Sequence, residues 1–157
     1  MNGVISDHAK RNSKFRVIYV KNFFLKTPMD TPYYLRIHSQ YLSMEFKKEY
    51  KLEKMIDQDG YIYCQINICI YSLKQAVILA YKLLVQRLAK RRYHLIPLTT
   101  GLFKQATRST TFALCVNDFG IKYNNEDVLQ HFINTLQQHY EISIDREGRH
   151  HCRLTFN

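Results

Sequence analysis

Thr110-Thr111-Phe112-Ala113-Leu114-Cys115-Val116-Asn117-Asp118-Phe119-Gly120-Ile121-Lys122-Tyr123 is the stretch around which the rest of the chain arranges itself. Apolar and β-branched residues fill 110–116 and resume at 119–123, with only Asn117 and Asp118 between them. Asn and Asp tolerate the positive φ of a tight turn, so the segment predicts a β-hairpin with Asn117-Asp118 at its tip. Beyond it, 126–139 carries Val128, Leu129, Phe132, Ile133 and Leu136 at three- and four-residue spacing, which predicts an amphipathic helix. Segments 140–144 and 150–156 predict closing strands around the turn residues Asp145-Arg146-Glu147-Gly148.

Toward the N-terminus, Leu73, Ala76, Val77, Ala80, Leu83, Leu84, Arg87 and Leu88 recur at helical spacing. Ser72 is the expected N-cap, and Lys90, Arg91 and Arg92 suit the negative end of the helix dipole. Residues 15–20 and 33–38 read as strands with turn chemistry at 27–32, and 43–56 reads as an exposed amphipathic helix stopped by Asp57-Gln58-Asp59-Gly60. The run 61–68 alternates, with Ile62, Cys64, Ile66 and Ile68 on one side. The expected order is β-α-β-β-α-β, the split βαβ arrangement of a ferredoxin-like α+β fold, with 33–68 as an inserted strand and helix segment. Residues 1–14 read as a disordered polar leader and 15–157 as one domain.

A hydrophobic content of 46% supports a real core, and a formal charge of +10, from 23 Lys and Arg against 13 Asp and Glu, favours a polyanionic partner. Cys64, Cys69, Cys115 and Cys152 form no CxxC pair, so free thiols in a reducing, intracellular compartment, cytoplasm or nucleus, are expected. The longest apolar helix is interrupted by Lys74, Lys82 and Arg87, which argues against a membrane span. His139, His150, His151 and Cys152 match no zinc spacing.

Three segments in order resemble the Pol reverse transcriptases of copia-type and gypsy-type LTR retrotransposons. They are Tyr19-Val20-Lys21-Asn22-Phe23-Phe24-Leu25, followed by Thr27-Pro28-Met29-Asp30; Ile70-Tyr71-Ser72-Leu73-Lys74-Gln75-Ala76; and Leu114-Cys115-Val116-Asn117-Asp118-Phe119-Gly120. In that family the first strand begins with Asp, the second segment reads Tyr-Gly-Leu-(Lys or Pro)-Gln-Ala, and the hairpin bears Val-Asp-Asp. The resemblance implies a polymerase palm in which three carboxylates hold paired Mg²⁺ ions for phosphoryl transfer.

This chain departs from the pattern where the chemistry sits. The resemblance puts Tyr19 and Asn117 at the first two catalytic carboxylate positions, and only Asp118 keeps its acid, as a vestigial metal ligand. Tyr lacks the short carboxylate and Asn lacks the charge, so divalent cations lose most of their compensation. Glycines expected before Ile70, at Ser72 and near Val77 are replaced by Cys69, Ser72 and Val77. By the same resemblance Phe24 falls at the nucleotide pocket. Gln75, with the basic residues Arg87, Lys90, Arg91 and Arg92, forms the expected nucleic-acid contact set.

Three functions follow as expectations. The foremost is a degenerate reverse-transcriptase fragment, catalytically inactive and needing no cofactor where active relatives use Mg²⁺. The second is a co-opted module that binds RNA or DNA weakly and without sequence preference, and the third is a weak residual polymerase. The bland alternatives are a structural turn role for Asp118, core packing for Phe23 and Phe24, and a solvated helix end for Lys90, Arg91 and Arg92.

Overall fold

The computed structural model describes residues 13–145, together with the backbone of 150–151 and 154–155. Strand β1 is Lys14–Val20, β2 Pro28–His38 and β3 Tyr61–Ile68, with helix α1, Met44–Glu49, between the last two. Helix α2, Lys74–Ala89, is followed by β4, Tyr93–Leu95, β5, Leu102–Gln105, β6, Thr110–Cys115, and β7, Asp118–Tyr123. Helix α3, Glu126–Gln137, leads into β8, Ile142–Asp145, and two short paired strands close the chain, β9, His150–His151, and β10, Leu154–Thr155.

The architecture is α+β. Six strands form one sheet in the order β4-β5-β6-β7-β1-β8, and each neighbouring pair is antiparallel. Because side chains alternate across a strand, residues opposite one another in register share a face. Ile18 lies opposite Phe119, Ile121 opposite Phe112 and Phe112 opposite Phe103, so all five stand on one face. Both long helices cover it. Helix α2 buries Ala76, Ala80, Leu84 and Leu88, and α3 buries Leu129, Phe132, Ile133 and Leu136. Phe132 ties the layers together, with ring centres 4.7 Å from Phe112, 5.5 Å from Phe119 and 5.2 Å from Tyr93.

Several sequence expectations change. The 27–32 segment is not a turn but the start of β2, whose pairing with β3 slips between Pro28 and Tyr33. The helix expected over 43–56 stops at Glu49. Ser43 caps it by accepting the Phe46 N–H at 3.1 Å, but Lys51 then adopts φ +52, and Leu52–Met55 continues only as a 3₁₀ turn. Ser72 is not the cap of α2. Its φ of +74 puts it outside the helix, and Leu73 stands at the N-cap position without a side-chain bond. Lys14 belongs to β1 rather than to a leader and pairs with Glu126 at 2.7 Å. Of the strand expected over 150–156, β9 and β10 are described; residues 1–12, 146–149, 152–153 and 156–157 lie outside the described residues.

Strands β2 and β3 form a separate two-stranded ribbon with Tyr33, Tyr34, Leu35 and Tyr63 exposed. Among the described residues no helix is long and apolar enough to cross a membrane.

One partly buried polar pair gives a measurable pH dependence. Tyr93 Oη and His131 Nδ1 share a hydrogen bond of 2.9 Å, and burial, then Arg108 and Arg91, hold the His131 pKa below its ordinary 6.5. The unfolded chain therefore binds more protons than the native one between that depressed value and 6.5, so this contribution is complete above about pH 6.5 and is lost as pH falls through the folded pKa. The melting temperature is expected to drop from pH 7.5 to 5.5, and by less in His131→Gln. An equal drop in both proteins would remove His131 as the cause.

Candidate functional site

The register brings together Tyr19 and Asp118, positions that the resemblance would assign to metal ligands. Tyr19 lies directly opposite Asp118, Asp118 opposite Cys115, and Tyr19 opposite Ser143 on its other side. These four residues alternate with the helix-facing Ile18, Leu114 and Phe119, so they form a row on the face turned away from α2 and α3. Tyr19, Cys115 and Asp118 are half-buried and Ser143 is exposed.

The hairpin tip differs by one residue from the sequence expectation. The turn is Val116-Asn117, and Asp118 is the first residue of β7. Asn117 is stitched to the end of β1: its side-chain amide donates to the Val20 carbonyl at 3.1 Å, and its own carbonyl accepts the Val20 N–H at 2.9 Å. An Asp at that position offers no such donor. Asn117 therefore closes the hairpin onto β1 where the family pattern has a metal ligand.

The ligand chemistry does not fit a pair of Mg²⁺ ions. The set offers one carboxylate, one amide already bonded to the backbone and one phenol, whereas Mg²⁺ takes hard anionic oxygens. Among the described residues no three His, Cys, Asp or Glu side chains converge on a common point.

Backbone conformation sets Ser72 and Val116 apart from their neighbours. Ser72 holds φ +74, in the left-handed region that glycine adopts freely, at a place where the family pattern has Gly. Val116 is in a harder position, since it is β-branched and holds φ +57 in a two-residue turn. Val116 is 53% exposed, so shortening it sacrifices little burial. Ser72→Gly and Val116→Gly are each expected to stabilise the protein by roughly 0.5–1.5 kcal/mol, the left-handed penalty reduced by the extra freedom of glycine in the unfolded chain. Urea unfolding checks this, and a lower midpoint in both variants would contradict it.

The remaining sequence candidates separate into three groups. Phe24 is buried in the core at 6% exposure, edge-on to Tyr71 with ring centres 5.0 Å apart, so its ring is a packing group. Gln75 lies exposed in the first turn of α2. Arg87, Lys90, Arg91 and Arg92 gather where α2 ends; Lys90, Arg91 and Arg92 are exposed. Arg87 is half-buried, with its guanidinium carbon 5.0 Å from the centre of the Tyr140 ring, and Arg91 donates to the Gln138 side chain at 3.2 Å.

Sequence reasoning did not anticipate Cys115 and Ser143 as neighbours of the Tyr19–Asp118 pair, or Tyr140 beneath Arg87. Strand alternation through 110–116 would have found Cys115. Nothing in the sequence points to the Arg87–Tyr140 contact, which joins residues on separate elements. No protein-family model, curated protein or solved structure matches the chain.

Proposed function

We propose that the chain is a degenerate palm fragment of an LTR-retrotransposon reverse transcriptase that no longer extends primers. The observation that carries this reading is the direct pairing of Tyr19 with Asp118, with Asn117 in the adjoining turn. Three positions picked out by a motif resemblance, about a hundred residues apart in the chain, meet at one edge of one sheet. The strand order β6-β7-β1-β8, with α2 between β1 and β6 and α3 between β7 and β8, suits the ferredoxin-like split βαβ topology of a palm. Two carboxylates are missing from the catalytic set, and electrostatic stabilisation is the main contribution a protein makes to phosphoryl transfer.

Purified protein is expected to give no primer extension on RNA or DNA templates with Mg²⁺ or Mn²⁺. Template-dependent incorporation above that of Asp118→Ala would overturn the proposal and favour a weak residual polymerase. The basic end of α2 supports a second reading, in which the fragment binds RNA or DNA weakly through phosphates. Fluorescence anisotropy at two salt concentrations tests it: binding that is indifferent to sequence and lost at high salt is the expected outcome.

A further inference from the structure

We infer that the junction between the C-terminal turn of α2 and the end of α3 is a pocket for a phosphate group, with the Arg87 guanidinium and the Tyr140 hydroxyl as its inner donors and Lys90, Arg91 and His139 at its rim. Tyr140 is 5% exposed, wedged between Phe23, whose ring centre is 5.8 Å away, and the Arg87 guanidinium. Arg87 Nη1 and Tyr140 Oη are both buried and close enough to interact with one another, but neither makes a hydrogen bond of good geometry among the described residues. Buried polar atoms in folded proteins are almost always bonded, and even if the guanidinium donates to the phenolic oxygen, the Tyr140 O–H still lacks an acceptor.

Among the described residues no ion pair engages this cluster; the pairs are Lys14–Glu126, Lys21–Glu141 and Arg36–Asp59. Glu141, the acid nearest in sequence to Tyr140, is held by Lys21 at 2.6 Å. Arg91 bridges to Gln138 and so fixes the two helix ends relative to one another. The field at His139 is positive, since Arg87, Lys90 and Arg91 add to burial in keeping its ring neutral. Two helix C-termini oppose an anion with about half a charge each, against three full cations. A planar guanidinium and a hydroxyl approaching from different directions suit the several acceptor oxygens of a phosphate.

Whether the phosphate belongs to a nucleic-acid backbone or to a free nucleotide or phosphate ion is a separate matter; only the first source rests on the proposed function. The test is calorimetric titration of the whole protein with inorganic phosphate at low salt. Arg87→Met keeps the aliphatic stem on the ring, Tyr140→Phe keeps the ring itself, and Lys104→Met changes an exposed cation on β5. Saturable binding is expected, weaker by about tenfold or more in Arg87→Met and about threefold in Tyr140→Phe, and unchanged in Lys104→Met. Bound phosphate should also raise the His139 pKa, followed by the ring proton resonances.

Displacement of phosphate by a short oligonucleotide would assign the pocket to backbone phosphates; failure to displace would assign it to free phosphate compounds. Absent saturable binding, or equal binding by wild type and Tyr140→Phe, would overturn the pocket and leave water as the partner of both atoms. Tyr140→Phe decides the outcome if Arg87→Met fails to fold. A primer-extension result against the proposed function leaves this test unaffected.

Discussion

Replacing Phe112 by Ala is expected to destabilise the protein by about 3–5 kcal/mol, a large share of the roughly 5–15 kcal/mol that holds a domain folded. Phe112 is fully buried on β6, and its ring lies at the centre of the aromatic core. It stacks on Phe103 with ring centres 4.9 Å apart and planes 8° from parallel, and it also meets Phe132 at 4.7 Å, Phe119 at 5.6 Å and Tyr93 at 5.9 Å. Truncation leaves a cavity walled by rigid rings on four elements, β4, β5, β7 and α3, which collapse poorly onto a methyl group. Phe112→Leu refills most of the space and is expected to cost about half as much. Val77→Ala on α2 is the control: Val77 is 50% exposed, so its change should stay within about 0.5 kcal/mol. A loss below about 1 kcal/mol for Phe112→Ala would show that the sheet is not organised around these rings.

The reasons Phe112 is central were partly readable in the sequence. Alternation through 110–116 and 119–123, and three- to four-residue spacing in α2 and α3, identify elements whose buried faces are long enough to leave a period. Strands β4 and β5 are three and four residues long and carry no such signal, so the sheet proved wider than expected. At 43–56 the helical spacing was real, but Lys51 adopts a left-handed φ and cuts the helix short. Val77 shows a related limit. Its spacing fits the apolar stripe of α2, yet Ala76, Ala80, Leu84 and Leu88 face the sheet and Val77 faces solvent. Periodicity identifies a helix more surely than it orients one whose surroundings are apolar on several sides.

The site was legible in a different way. The pairing of Tyr19 with Asp118 depends on register between strands far apart in sequence, which no local pattern specifies; it was anticipated through the β-α-β-β-α-β order and the order of three motifs. Motif order was less informative about individual side chains. It placed Phe24 at a nucleotide pocket, whereas the ring is packed against Tyr71 within the core. It marked Asn117 as a substituted ligand position, and gave no hint that the amide donates to Val20, a bond that a carboxylate lacks the proton to make. On the proposed function, loss of a metal ligand and gain of a structural contact would be the same substitution. Asn117→Asp is therefore expected to weaken the closure of the hairpin onto β1, whatever ligand chemistry it adds.

Gly101→Ala is expected to cost about 2–4 kcal/mol, although the residue lies in a connection with no catalytic or binding assignment. Gly101 precedes β5 with φ +77, a conformation that costs an L-residue roughly 1–2 kcal/mol. A Cβ there would lie 2.8 Å from the Leu114 carbonyl oxygen, a backbone atom held in the β6 ladder. The Leu114 N–H donates to the Gly101 carbonyl at 2.7 Å, so relieving the clash by moving the chain also loosens that bond, a further 0.5–1.5 kcal/mol or so. Gly60→Ala separates strain from collision. Gly60 holds a similar φ of +84, but its Cβ would meet the His38 ring at 3.0 Å, and a side chain can turn aside where a strand cannot. Gly60→Ala should therefore cost only the conformational part, about 1–2 kcal/mol. Equal losses in the two variants, measured by urea unfolding, would mean that the approach of Gly101 to Leu114 contributes nothing and that left-handed strain alone accounts for both.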